Sequence, residues 1–483
     1  MSDLQTVIGL EIHVQLKTET KMFCACAIGK PEEKANTSIC PVCTSQPGAL
    51  PVINKKAVEL GAKAALAINC SIEPYSIFAR KHYFYPDLPK SYQISQFEKP
   101  LALRGHIKIE TSSGEKRIGI SRAHLEEDAG KSIHSLGNKT LDYSLIDLNR
   151  AGVPLLEIVT EPDISSPKEA YTYLMELKKT IRWIGVSNCD MEKGELRCDV
   201  NVSLKTKETK TLGTKVEIKN LNSFKAVKDS LTYEIKRQTD IINKGKIILS
   251  DTRLWNDKEE KTYSMRSKET ANDYRYFPEP DLIALKFSAE NALEIKNNLG
   301  ELPHQKKTRF IEQYALNTYD AALLTANKIL SSYFEECIKL GGNAKISANL
   351  IATEIMGRLN ASKLKIKDCP VIPQYIAELT QLLKSGTISN TLSKQVLDKI
   401  WKKPMSPKKL IESAGMNQVS NEDKIREWAK ETLIKNPKAI EDFKSGNEKA
   451  IGPIMAMIMK KSNGKANPKI TNSIIKDLIK KAD

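Results

Sequence analysis

Between Val7 and Leu16 the chain alternates without a break. Ile8, Leu10, Ile12, Val14 and Leu16 are apolar, and Gly9, Glu11, His13 and Gln15 fall between them. A period of two is that of a strand with one buried face, so Glu11 and His13 project together from the other face. A carboxylate and an imidazole about 7 Å apart suit a divalent cation; a solvated strand face is the competing reading. The pattern recurs twice. From Glu195 to Leu204 the odd positions are Glu195, Arg197, Asp199, Asn201 and Ser203, and from Lys215 to Lys219 the apolar Val216 and Ile218 alternate with Lys215, Glu217 and Lys219. Three strands with carboxylates, amides and cations on one face have the composition of a metal and nucleotide platform, because Mg²⁺ takes hard oxygen ligands and phosphates take cations.

A denser acidic group lies in His124-Leu125-Glu126-Glu127-Asp128-Ala129-Gly130-Lys131. Adjacent carboxylates repel unless a cation or proton relieves them, so this is a second metal candidate or an acidic surface turn. Gly130-Lys131-Ser132 ends like a phosphate-binding loop, but Leu125 stands where that loop requires Gly, which excludes a Walker site. Asp147, Asn149 and Arg150 precede Ala151-Gly152, and Glu157 and Glu161 follow, either as another polar edge or as strand-turn-strand punctuation. The aromatics of Lys81-His82-Tyr83-Phe84-Tyr85-Pro86-Asp87-Leu88-Pro89-Lys90 suit base stacking, an aminoacyl group or core packing. Cys24-x-Cys26 and Cys40-Pro41-Val42-Cys43 supply two close thiolate pairs, as a tetrahedral structural Zn²⁺ requires; four thiolates leave no open position, so such a site braces a loop. A redox pair is the alternative.

These groups need elements to hold them. Ser166, Pro167 and Glu169 form a helix start, with Gly185 closing it, and Phe224, Val227, Leu231 and Ile235 place a second helix from Ser223 to about Lys244. Both read as helices backing a sheet. Residues 1–290 read as short strands with a few helices, 291–405 as helical, and 406–483 as a small, basic helical tail in which Lys461, Lys465, Lys469, Lys476, Lys480 and Lys481 suit phosphate contacts. Over 483 residues, 75 Lys and Arg against 59 Asp and Glu give a net charge of +16, which points to a polyanionic partner. No apolar run is long enough to span a membrane, the first residues carry no export pattern, and nine cysteines are too few for a disulfide scaffold, so a reducing cytoplasm is expected.

Taken together, Ile8-Gly9-Leu10-Glu11-Ile12-His13-Val14, the two cysteine pairs, Tyr83-Phe84-Tyr85-Pro86-Asp87, His124 to Lys131, Asn149-Arg150-x-Gly152 and Tyr274-Arg275-Tyr276-Phe277-Pro278-Glu279-Pro280-Asp281 closely resemble the GatB family, found in bacterial glutamyl/aspartyl-tRNA amidotransferases. In the tail, Gly464-Lys465-Ala466-Asn467-Pro468 resembles the closing motif of that family's YqeY-like domain.

The resemblance implies an α+β fold: a glutamine-synthetase-like, mostly antiparallel cradle with a zinc loop at 24–43, then an all-α domain and a tRNA-binding YqeY-like tail. It implies a GatCAB heterotrimer, in which this chain joins an amidase, GatA, and a small third protein, GatC. The amidase would release ammonia from glutamine, and this chain would use ATP and Mg²⁺ to phosphorylate the side-chain carboxylate of Glu-tRNA(Gln) or Asp-tRNA(Asn). Ammonia would then displace phosphate. By similarity, Glu11, His13 and Glu127 are expected to hold magnesium, with Glu126, Asp199 and Glu217 as further metal candidates and all six sharing in catalysis, and Lys81 and Lys90 to line the ammonia route. Arg197 and Lys219 are assigned to phosphate from their place on the polar faces. Two rivals remain, a non-catalytic tRNA-binding scaffold and a small-molecule carboxylate-amine ligase of similar cradle fold. A synthetase is disfavoured because no His-Ile-Gly-His or Lys-Met-Ser-Lys-Ser sequence occurs.

Overall fold

The alternation that begins at Val7 becomes β1, Leu4–Gln15, the centre of a nine-stranded sheet in a computed structural model of the chain. The structure describes residues 4–29, 33–137, 139–206, 208–209, 211–267, 274–413, 422–447, 450–462, 466 and 468–480. The other strands of the sheet are β2 (Ser71–Ile72), β3 (Ala102–Thr111), β4 (Gly114–Glu127), β5 (Pro154–Thr160), β6 (Leu196–Thr206), β7 (Val216–Lys219), β8 (Asp251–Asn256) and β9 (Lys261–Ser267). Their spatial order is β9-β8-β7-β6-β1-β5-β4-β3-β2, antiparallel except for β7 with β8. The chain is thus of mixed α+β class with a large, mostly antiparallel sheet.

One face of this sheet is covered. Helices α1 (Lys55–Ala67), α2 (Pro167–Trp183) and α3 (Phe224–Asn243) contribute Leu60, Leu174, Leu177, Ile181 and Leu231 to a core shared with Ile8, Leu10, Ile12, Val14, Val200 and Val202. The alternate side chains of the same strands point away from this core. The two helix starts form as their caps dictate. Ser166 accepts from the Glu169 N–H at 3.2 Å, and Ser223 accepts from that of Ala226 at 3.0 Å. The Glu169 carboxylate departs from the expected capping box: it accepts from the N–H of Ser165, one residue earlier, and pairs with Lys116 of β4. The helix end is therefore tied to the sheet as well as capped.

The chain divides into two compact units, Met1–Leu302 and Pro303–Asp483. The first reaches past the expected boundary at 290. Helix α4, Ala289–Asn297, packs on α1, and Leu299 and Leu302 complete the first core. The second unit holds two apolar clusters, one from Phe310 to Ile411 and one from Ile425 to Ile479. The helix Pro407–Ser413, expected to open the tail, gives Leu410 and Ile411 to the earlier cluster. In the later cluster Lys461 pairs with Glu431. Gly464, Lys465, Asn467 and Lys481, named above as tail contacts, lie outside the described residues. No helix among the described residues is long and apolar enough to cross a membrane.

Candidate active site

Antiparallel register draws separated segments into one row across the other face of the sheet. His124 on β4 lies opposite Glu157 on β5, Glu157 opposite His13 on β1, and His13 opposite Arg197 on β6. Strand parity alone would not achieve this. Opposite the Val159/Thr160 step the register of β4 shifts by one residue, and its buried series passes from Ile118 and Ile120 to Ala123 and Leu125. The extra residue, Ser121, donates its hydroxyl to the Val159 carbonyl at 3.0 Å. This bulge turns His124 and Glu126 out of the core and onto the polar face.

His13, Glu126 and Glu157 converge there: one ligating atom from each lies within 4.8 Å of the others. His13 Nε2 is 3.3 Å from both Glu126 Oε1 and Glu157 Oε2. Burial would lower the imidazole, but hydrogen bonds with Glu126 and Glu157 outweigh it and push His13 up to about 10. Burial likewise favours the neutral carboxyls, yet the two histidines pull Glu126 down to about 2 and hold Glu157 well below the carboxylate range. Two ionised carboxylates that need a buried cationic partner, beside an imidazole with 22 % of its side chain exposed, form a donor set that fits a divalent cation.

The expected set of Glu11, His13 and Glu127 is not gathered in this way. Glu11 lies two residues along β1 and accepts from Asn201 Nδ2 at 2.8 Å. Glu127 projects to the opposite side of β4, since neighbouring strand residues alternate faces. It accepts from the Ile94 N–H at 2.9 Å and pairs with Lys90 at 2.5 Å. Glu157, read from sequence as a polar edge or as turn punctuation, is the residue that converges with His13 and Glu126. Its signal is visible in hindsight: a lone acid inside Pro154–Thr160, a strand whose other residues are apolar or Thr.

The remaining polar residues extend the row. Arg197 pairs with Asp128 at 2.8 Å, and Lys219 bridges Asp199 at 2.6 Å and Glu217 at 3.1 Å. Burial works against both cations, but these carboxylates raise the pKa of each. Glu217 also accepts from the Thr252 hydroxyl at 3.0 Å. On the other flank Lys81 lies 4.9 Å from the Tyr274 ring centre, and the Glu126 and Glu157 charges outweigh its burial to keep it protonated. The aromatic segment at 81–90 and the Tyr274 to Asp281 motif therefore meet: Phe277–Pro278 pairs with Ala79–His82, and Arg80 binds Glu279 and Asp281. Phe84 and Tyr85 stay largely exposed, so core packing does not account for them.

Behind Glu127 and Lys90 a small cavity is walled by Phe23, Cys24, Cys43 and Tyr92. The sulfurs of Cys24, Cys26, Cys40 and Cys43 converge within 4.8 Å of one another, a closed four-thiol set that fits a structural metal. The Cys43 thiol is drawn down to about 4, chiefly by the Cys24 hydrogen bond and against burial, with added help from the Cys40 N–H and Lys21. Lys21 is fully buried, with its ammonium 2.8 Å from the Ser38 carbonyl, 3.3 Å from that of Leu148 and 3.7 Å from Cys43 Sγ. Asn149 ties the same turn to the loop by accepting from the N–H groups of Thr37 and Ser38. The turn also carries Arg150, which binds Asp128 and the carbonyls of Ala129 and Gly130. The knuckle thus braces the turn that leads into β5 and Glu157.

A polar sheet face bearing a carboxylate-imidazole donor set and flanking cations has the chemistry to hold a divalent cation and anionic groups. The particular family follows from comparison with known proteins. Residues 6–292 match the GatB/GatE catalytic domain, and residues 332–479 match the GatB domain. The aspartyl/glutamyl-tRNA(Asn/Gln) amidotransferase B subunit of Elusimicrobium minutum is 50% identical over 99% of this chain and 100% of its own length. The proteins of the same name from Persephonella marina and Carboxydothermus hydrogenoformans are 49% and 47% identical, over 99% and 100% of this chain and 100% of their own length in both cases. The chain belongs to the GatB family of amidotransferase B subunits.

Proposed function

We propose that this chain carries out the carboxylate-activating and amide-forming half of a tRNA-dependent transamidation, as a carbon-nitrogen ligase that works in the cytoplasm with an amidase partner and a small third protein. The substrates are Glu-tRNA(Gln), Asp-tRNA(Asn) or both. A free carboxylate does not accept ammonia until it carries a leaving group. The side-chain oxygen therefore attacks the γ-phosphorus of ATP, ADP leaves, and ammonia displaces phosphate from the acyl carbon with loss of a proton, giving the amide. Such a reaction needs positioned cations and oxygens more than a nucleophilic side chain.

The convergence of His13, Glu126 and Glu157 carries this reading. These three residues would hold Mg²⁺, which supplies charge neutralisation for the phosphoryl oxygens. Arg197 and Lys219 would bind phosphate, and the carboxylates that hold each cation support this reading. Asp199 and Glu217 orient Lys219, and Glu11, held by Asn201, extends the acidic row. We read the first unit as a glutamine-synthetase-like cradle, the cysteine cluster as a structural Zn²⁺ site, and the basic tail as a tRNA-backbone contact. We assign Lys90 and Lys81 to the ammonia route, a reading supported for Lys90 by the cavity it lines with Glu127.

The test feeds ammonium chloride to the purified heterotrimer with ATP, Mg²⁺ and Glu-tRNA(Gln), omitting glutamine. Product that requires ATP places activation apart from glutamine hydrolysis. Failure with bound Glu-tRNA(Gln), repeated with Asp-tRNA(Asn), would favour a tRNA-binding scaffold instead.

A further inference from the structure

A fourth side chain touches the centre of His13, Glu126 and Glu157, and none of the steps above uses it. We propose that His124 is a positioning residue that holds the Glu157 carboxylate in place for a dication shared with His13 and Glu126. The inference rests on the metal reading of that centre and adds to it a residue outside the ligand set.

Geometry carries the argument. His124 Nε2 lies 3.3 Å from Glu157 Oε2 and 3.8 Å from Glu126 Oε2. Ionised carboxylates are acceptors only, so the nitrogen facing them must carry a proton. His13 Nε2 faces the same Glu157 oxygen at 3.3 Å. An imidazole ligates a metal through a bare lone pair, so His13 cannot both bind an ion and donate from Nε2 to Glu157. When His13 turns to the ion, the donor left on Glu157 is His124.

Access separates the two histidines. The His13 side chain is 22% exposed and that of His124 only 3%. An ion from solvent meets His13 first, whereas His124 is as buried as the carboxylates and lies in the sheet row directly across from Glu157. Its other nitrogen, Nδ1, is buried with no hydrogen-bond partner among the described residues. A buried, unpaired nitrogen is a cost that a phenylalanine or leucine would avoid while filling the same space. The contacts that offset this cost are those to the two glutamates.

Mn²⁺ binding to the full chain, followed by the electron paramagnetic resonance of the free ion without ATP, tests the assignment. His124→Phe is expected to weaken Mn²⁺ binding about 10- to 100-fold, the range found for residues that orient metal ligands. His124→Gln, whose amide N–H falls near the Nε2 position, should stay within about threefold of the unsubstituted chain. His124→Asn, whose amide falls short of Glu157, should be as weak as the Phe variant, and this pair decides the matter if the Phe variant does not fold. Equal affinity in the Phe or Asn variant, or a Gln variant no better than Phe, overturns the role. An unsubstituted chain that takes up no Mn²⁺, or whose uptake is indifferent to Glu126→Gln and Glu157→Gln, overturns the metal reading itself and the inference with it.

Discussion

His13 stands between two carboxylates that favour its charged form, with a pKa near 10 in the metal-free chain. At neutral pH it must therefore lose a proton before its Nε2 can ligate. The sign is fixed: apparent affinity for Mn²⁺ should rise with pH, approaching tenfold per unit below that value, and each ion bound at pH 8 should release about one proton. Stopped-flow mixing in weakly buffered indicator measures the release; uptake without protons would mean that His13 is not a ligand. Lys21 makes a second residue-scale case. A four-thiolate zinc site carries a net charge of about −2, and the buried ammonium beside Cys43 offsets part of it. Lys21→Met should speed zinc loss to a chromogenic chelator about tenfold or more, and an unchanged rate would leave the lysine only its two carbonyl contacts.

At the scale of elements, the bulge in β4 decides which carboxylates meet. Deleting Ser121 should restore simple alternation and drive either the ion-binding or the apolar side chains of His124 to Glu127 to the wrong face. The expected outcome is loss of Mn²⁺ binding together with a fall in melting temperature; retention of both would show that the bulge does not set the face. This element also explains what the sequence could and could not tell. Glu11 and His13 were legible because Val7 to Leu16 alternates cleanly, and the starts of α2 and α3 were legible because Ser166 and Ser223 cap them locally. The four cysteines were legible as a set because thiol pairs at close spacing serve few other purposes. Glu126 and Glu127 are neighbours in the sequence, whereas the sheet places them on opposite sides, one with His13 and the other with Lys90. Glu157 was not grouped with His13 because that proximity is set by the pairing of β1 with β5, a contact between residues 13 and 157 that no local pattern encodes.

For the whole molecule, the sheet divides its labour by face. One face holds the core with α1, α2 and α3 and the other carries the polar row, so the two draw on alternate residues of the same strands. The second unit has its own apolar clusters. The net charge of +16 spread over the chain suits a long polyanion, whose binding should be salt-dependent and separable from the chemistry of the row. The most direct measurement compares the assembled enzyme with its Glu157→Gln variant, supplying ammonium, ATP, Mg²⁺ and misacylated tRNA and following amide formation beside tRNA affinity. The account predicts a fall in turnover of about 100-fold or more with tRNA binding changed only a few-fold. Turnover retained in the variant would contradict it, and would move the activating chemistry away from His13, Glu126 and Glu157.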